Sequence, residues 1–274
     1  MNTTRQTYRP YLLRILVSRS ILGILALTLV GMANFSFAQS AAQFGIGESA
    51  RLLEAALDLE RGEISPAEYH SIKVAETCKD PATRLQNRNR PWMYVYNTST
   101  VADDVTSVTV DLTEQGFEFG DGDVAGDGFD GLLSMLSYRS DAGVSLDSAT
   151  YGNDNTELVL NFSGLSQDLA AIFRIDLDEP GGPTMYPDFR EAMLGADTGM
   201  GPGQLAIMTA GFTSGNMISA TFPMADPLPT SGIAEGYHSQ TMSMVETSIP
   251  VPEPTALVLL LVGLTSIAST RRYR

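Results

Sequence analysis

The feature that most constrains this chain is a change of hydrophobic period at Pro91. Ahead of it, Leu52, Leu53, Ala56, Leu57 and Leu59 recur at helical spacing after a polar start at Glu48-Ser49. Arg61-Gly62 breaks that run, with Gly62 suited to a left-handed helix end. A second helix starts at Ser65-Pro66-Ala67-Glu68: Ser65 as N-cap, Pro66 in the first helical position and Glu68 in the third make a capping box. It is expected to run to about Glu76. The helical pattern as a whole covers residues 44–77. Residues 78–91 follow as a polar, locally basic linker in which Arg84, Arg88 and Arg90 are either solvated or docked on the acidic domain.

Beyond Pro91 the period is two. Met93–Asn97 and Val105–Leu112 read as strands, as do Glu157–Phe162, Ala170–Asp176, Gln204–Phe212, Met217–Phe222 and His238–Val245. Gly, Asp, Asn, Ser and Pro separate them at the spacing of an antiparallel sandwich. Leu132–Leu136 and Phe189–Leu194 read as short helices across loops. The expected fold is therefore mostly β: an antiparallel, jelly-roll-like β-sandwich over 91–248, preceded by a short α-helical hairpin and linker over 39–90.

Charge divides the chain further. Its 17 Lys and Arg against 32 Asp and Glu give −15 overall. Residues 91–254 hold 3 basic and 24 acidic residues, a net of −21, whereas 39–90 hold 7 and 8, a net of −1. Such an acid excess argues against nucleic acid or an anionic membrane surface as the main partner. One Cys, Cys78, rules out a disulfide framework, and two His rule out a His-rich metal centre.

Both ends are basic. Residues 1–38 carry Arg5, Arg9, Arg14 and Arg19 without an acid, then the apolar run Ile21–Ala33, then Ser36 and Ala38 as small residues before Gln39. That is the layout of a secretory signal peptide cleaved between Ala38 and Gln39. Its 13 apolar residues would rise only about 20 Å as a helix, short of the roughly 30 Å of a bilayer core.

At the other end, residues 249–274 bring Val251-Pro252-Glu253-Pro254, an apolar helix over 256–270, and the basic tail Arg271, Arg272 and Arg274. This order resembles the PEP-CTERM sorting signal of bacterial surface proteins. The resemblance implies a membrane-seated C-terminal helix, held with its Arg end on the cytoplasmic side. It also implies recognition and removal by a membrane-embedded exosortase, in bacteria that make extracellular polysaccharide. Leu228-Pro229-Thr230-Ser231-Gly232 approaches the sortase motif of Gram-positive bacteria. It has Ser in place of Thr, and its distance from the apolar run makes it an ordinary loop. Residues 57–69 also resemble short helical hairpins appended to bacterial envelope proteins.

Chemistry-bearing motifs are few. Gly120–Asp130 places Asp121, Asp123, Asp127 and Asp130 among glycines. It opens like an EF-hand loop, but has Ala125 in the fifth position and Leu132 where a bidentate Glu belongs. Two readings stand: a solvated acidic turn, or a looser Ca²⁺ loop on a sandwich edge. Asp176, Asp178 and Glu179 form a second acidic group, and Asn153-Asp154-Asn155 a third. No nucleophile elbow, zincin or P-loop motif occurs, and neither His70 nor His238 has an evident nucleophile beside it. Trp92, the sole Trp, is read as buried beside Met93, with sugar stacking as the other option. The chain is thus expected to be an exported, non-catalytic surface or matrix-associated protein, with extracellular polysaccharide as partner. A Ca²⁺-dependent carbohydrate-binding module is the alternative, and a glycosidase or lyase ranks below it.

Overall fold

The computed structural model describes residues 39–79, 87–112, 116–119, 140–178, 187–196, 205–225 and 242–250. Strand β1 (Gln39–Gly47) is followed by α1 (Ala50–Glu60) and α2 (Pro66–Thr77), then β2 (Trp92–Asn97), β3 (Val105–Asp111) and β4 (Glu118–Phe119). After these come β5 (Ser145–Gly152), β6 (Glu157–Leu165), β7 (Ala170–Arg174), β8 (Leu177–Asp178) and the short α3 (Phe189–Ala192). Strands β9 (Ile207–Phe212), β10 (Met217–Thr221) and β11 (Met242–Pro250) complete the set. The fold is mostly β, and every strand pair is antiparallel.

Two main sheets run in the orders β11-β1-β2-β7 and β10-β9-β3-β6-β5, with β4 and β8 as a separate pair. Alternation explains the second sheet. In β6, Leu158, Leu160 and Phe162 are buried while their neighbours are half-buried, and in β3 Val108 and Val110 alternate likewise. A register shift between Val105 and Ser107 returns Val105 to the inner face. These side chains share one core with Phe44, Ile46, Met93, Val95 and Phe173 of the first sheet. Each such burial contributes about 1.5–3 kcal/mol. Phe162 and Phe173 meet across it at 6.4 Å between ring centroids.

Strands β1, β2 and β7 of the first sheet are buried on both faces. Tyr94, Tyr96, Ala170 and Ile172 point away from the main core into a second cluster with Leu53 and Leu57 of α1. The helical hairpin forms as its local signals dictate. Ser65 Oγ accepts from the Glu68 amide while the Glu68 carboxylate accepts from the Ser65 amide, Pro66 opens α2, and Gly62 has φ +72.

Three expectations are corrected. Residues 39–47, including the Phe44–Gly47 part of the expected helical pattern, form β1, a strand between β2 and β11. The boundary at Pro91 is therefore not a structural one, and Ala38–Val251 make one compact unit. Strand β5, an exposed strand of sequence SLDSATYG, was not expected because a solvated edge carries no apolar period. Within the described residues the last strand runs over Met242–Pro250, past the expected end at Val245, because β11 follows β1 residue for residue from Gly47↔Met242 to Gln39↔Pro250; the expected 238–241 part lies outside the described residues.

The hairpin is latched to the sheet by Arg61. Its Nη1 and Nη2 donate to Asp141 Oδ1 (3.3 Å) and Oδ2 (2.5 Å), Nη2 also reaches Asp168 O (3.1 Å), and the guanidinium lies 5.0 Å from the Tyr96 ring centroid. Asp141 Oδ2 in turn accepts from the Ala170 amide at 2.6 Å. Arg61→Ala is expected to cost about 2 kcal/mol, the scale of charge-assisted hydrogen bonds. Hydrogen exchange should show α1 and α2 amides losing protection ahead of those of β3 and β6.

Among the described residues, no helix is long and apolar enough to cross a membrane. The expected signal peptide and the apolar run over 256–270 lie outside them.

Candidate functional site

The described structure concentrates its buried polar groups at the two ends of the first sheet. One end holds both termini of the folded unit: Gln39 opens β1, and Pro250, its register partner, closes β11. The backbone there is fully engaged. The Gln39 amide donates to Thr100 Oγ1 (2.9 Å), Gln39 O accepts from the Thr100 amide (3.0 Å), and the Ala41 amide donates to Ser99 Oγ (3.0 Å).

Behind them sits Asp103, 3% exposed. Its Oδ2 accepts from Ser40 Oγ (2.6 Å) and Ser214 Oγ (2.7 Å), and its Oδ1 accepts from Thr213 Oγ1 (2.8 Å) and the Ser214 amide (2.8 Å). Asn97 Nδ2 donates to Asp103 O and to Leu165 O, and Asn216 Nδ2 donates to Ser40 Oγ. The carboxylate thus ties β1, the loop after β2 and the β9–β10 turn together. Burial alone would favour the neutral acid, but the hydrogen bonds from Ser40, Ser214 and Thr213 outweigh it and hold the pKa below the usual aspartate range.

A folded-state pKa below the unfolded one gives stability that is complete above the unfolded value, 3.8, and is lost as pH falls through the depressed folded value. Asp103→Asn is expected to cost about 2 kcal/mol near neutrality. Chemical denaturation across pH 2–6 should show a shallower acid loss in the variant, and parallel curves would refute the assignment.

The opposite end holds charge. Arg88 Nε donates to Glu48 Oε1 at 2.6 Å, and Arg88 Nη1 lies 3.6 Å from Asp188 Oδ2. Asp188 is also held by Arg190, at 2.9 Å from Nε and 2.5 Å from Nη2. Glu48, Arg88 and Arg190 are all buried. Alongside, Asp176 accepts from Arg90 Nε at 3.2 Å and from Asn89 Nδ2 at 3.2 Å. The solvated-linker expectation is thereby corrected for Arg88 and Arg90, which dock on acids as the other reading had it.

Several other expectations find their places. Asp176 belongs to that ion pair, Asp178 pairs in register with Glu118, and Glu179 lies outside the described residues. Asn153, Asp154 and Asn155 form the β5–β6 turn, all with left-handed φ of 50–68°. Trp92 is half-buried on the face of β2 opposite Met93, with the Arg174 guanidinium 5.6 Å from its ring centroid. Burial beside Met93 is corrected to packing beneath Arg174. His70 and Cys78 are exposed.

Asp121, Asp123, Asp127 and Asp130, the expected Ca²⁺ ligands, lie outside the described residues. So do Ala38, Pro252, Glu253, Pro254, Arg271, Arg272, Arg274, His238 and the 228–232 loop. Among the described residues, no group of three or more His, Cys, Asp or Glu could hold a metal ion. The Asp103 hub was not singled out in the sequence, and for the Arg88 network only the possible docking of Arg88 and Arg90, not their partners, was read there. The only hint was the Ser/Thr/Asn-rich setting of Asp103 in NTSTVADD. Comparison of the chain with protein-family models, with curated proteins and with solved structures found no match.

Proposed function

We propose that this chain is an exported, non-catalytic protein of the cell surface or extracellular matrix, released or fixed there after an exosortase removes its C-terminal segment. The observation that carries the reading is the ordered set Pro252-Glu253-Pro254, apolar run and Arg271-Arg272 at one end, matched by a secretory layout at the other. The folded unit fits between these signals. Strand β1 starts at Gln39, directly after the expected signal cleavage, and β11 stops at Pro250, two residues before Pro252. We read the two main sheets as a jelly-roll-like β-sandwich carrying the helical hairpin on its outer face. The net charge of −21 over 91–254 suits a solvated body in a polysaccharide matrix.

The test is the intact mass of the protein recovered from the native cell surface. The proposal expects a form starting at Gln39 and lacking Arg271–Arg274. A surface form that retains Arg274 would leave a plain tail anchor and remove the exosortase from the account.

A further inference from the structure

The ion pairs at the charged end of the first sheet leave one arginine over. Arg88, Arg90 and Arg190 each meet a carboxylate, that of Glu48, Asp176 and Asp188 respectively. Arg174, the last residue of β7, is ion-paired with none among the described residues. Its Nε donates to Arg90 O at 2.8 Å, and its Nη2 makes only a long 3.4 Å contact with Asn87 Oδ1. Nη1 has no partner among the described residues and is not enclosed, so solvent reaches it.

Beside it stands the sole Trp of the chain. Trp92 and Arg174 are register partners on β2 and β7, so their side chains share one face of the sheet, with the guanidinium 5.6 Å from the indole centroid. Both residues are half-buried. The indole N–H, like Nη1, has no partner among the described residues and is not enclosed.

The electrostatics single out the same place. Arg90 is matched by Asp176 at 3.2 Å, so the charge of Arg174 is the one left uncompensated in this group. Burial first, and the charge of Arg90 second, push the Arg174 guanidinium below the ordinary arginine value, while Asp176 pulls the other way. An arginine nonetheless keeps its proton in a protein, so a half-buried cation is held here without a carboxylate of its own. In a segment with 24 acids against 3 bases, that is the exception.

We infer that Arg174 and Trp92 form a binding site for an acidic sugar, its carboxylate on the guanidinium and the indole N–H, and its ring along the indole. Nη1 and Nη2 present the end-on fork that a carboxylate fills with two charge-assisted hydrogen bonds. One uncompensated charge matches a monoanion, such as a carboxylate, better than a phosphate dianion. The apolar body of the indole is where the C–H face of a sugar ring gains by leaving water. The choice of a sugar as the carrier of the carboxylate rests on the matrix reading proposed above.

Trp92 is its own reporter, as the only indole present. The full chain would be titrated with trigalacturonic acid, neutral galactotriose, acetate and inorganic phosphate at low and high NaCl, with Trp92 emission and calorimetry read in parallel. The expected result is saturable binding of trigalacturonate alone, weakened by salt. Arg174→Gln should weaken it by about tenfold or more, the scale of charge-assisted hydrogen bonds, with the urea midpoint kept. Trp92→Phe, followed by calorimetry, keeps a ring but loses the N–H and should weaken it several-fold. Undiminished binding in either variant would overturn the assignment, so the second carries the test if the first fails to fold. An equal response to galactotriose would remove the role of Arg174. An equal response to acetate or phosphate would show an adventitious ion only and overturn the sugar site. No binding in either readout would overturn the site altogether. None of these failures touches the export and sorting reading, which the intact mass tests separately.

Discussion

Gly45→Ala is expected to destabilise the folded unit by about 3 kcal/mol or more, at the upper end of what overpacking a core costs. An added Cβ would lie 2.1 Å from Tyr94 Cε1 and 2.6 Å from Cζ. The ring has nowhere to go. Tyr94 is fully buried, Leu53 and Leu57 of α1 share its cluster, and its hydroxyl donates to Gln43 Oε1 at 2.9 Å. The glycine is needed for close approach: it lets an aromatic ring of β2 lie across β1 beneath the helix. Urea titration should show the midpoint falling steeply, a large share of the 5–15 kcal/mol that holds a typical domain together. Combining Gly45→Ala with Tyr94→Leu should cost less than the sum of the two single changes, because the clash disappears with the ring. Strict additivity would refute the mechanism.

Arg88→Met is expected to cost about 3 kcal/mol, because it removes the guanidinium from a buried, hydrogen-bonded ion pair. The side chains of Arg88 and Glu48 are each only 5% exposed, and their 2.6 Å contact joins the start of α1 to the segment entering β2. Glu48 would lose its guanidinium inside the protein, whereas Asp188 would keep Arg190. Replacing the pair by Glu48→Leu with Arg88→Met should recover most of the loss, since hydrophobic isosteres often match a buried ion pair. Comparable urea midpoints for the single Arg88→Met variant and the wild type would show that the pair contributes nothing net.

Much of the fold was legible where the deciding interactions are local. The α2 cap needs only Ser65, Pro66 and Glu68, which lie within four residues of one another, and it formed as read. β3, β6 and β9 have one face in the core, so Val, Leu, Met and Phe alternate with Thr, Asn and Ser. Strand β1 was not legible. Its outer face carries Ala41, Gln43 and Gly45 against the first helix and Tyr94, so both faces are buried and no alternation remains. Its partner β11 begins about 200 residues later in the chain, beyond any local signal.

The candidate sites divide in the same way. Pro252, Glu253, Pro254 and the terminal arginines all lie within the last 23 residues of the sequence, so the sorting expectation needed no fold. Asp103 is one of 24 acids between 91 and 254, and nothing in its immediate sequence separates it from Asp104. Only the meeting of Ser40, Thr213 and Ser214 around it makes it a buried anion. For Arg88 and Arg90 the sequence left solvation and docking both open, and Glu48, Asp188 and Asp176, arriving from other parts of the chain, decide for docking.

By itself, then, the sequence determined the mostly-β composition, the helical hairpin with its cap and the four-part distribution of charge, because period, capping and charge counting act over a few neighbours. Tertiary structure alone decided that Gln39–Gly47 is a strand inside the first sheet, that it pairs with β11 from the far end of the folded unit, and which few charges are buried. Those outcomes depend on pairing between residues tens to hundreds of positions apart, where the free energy comes from excluding water between surfaces that only the folded chain brings together.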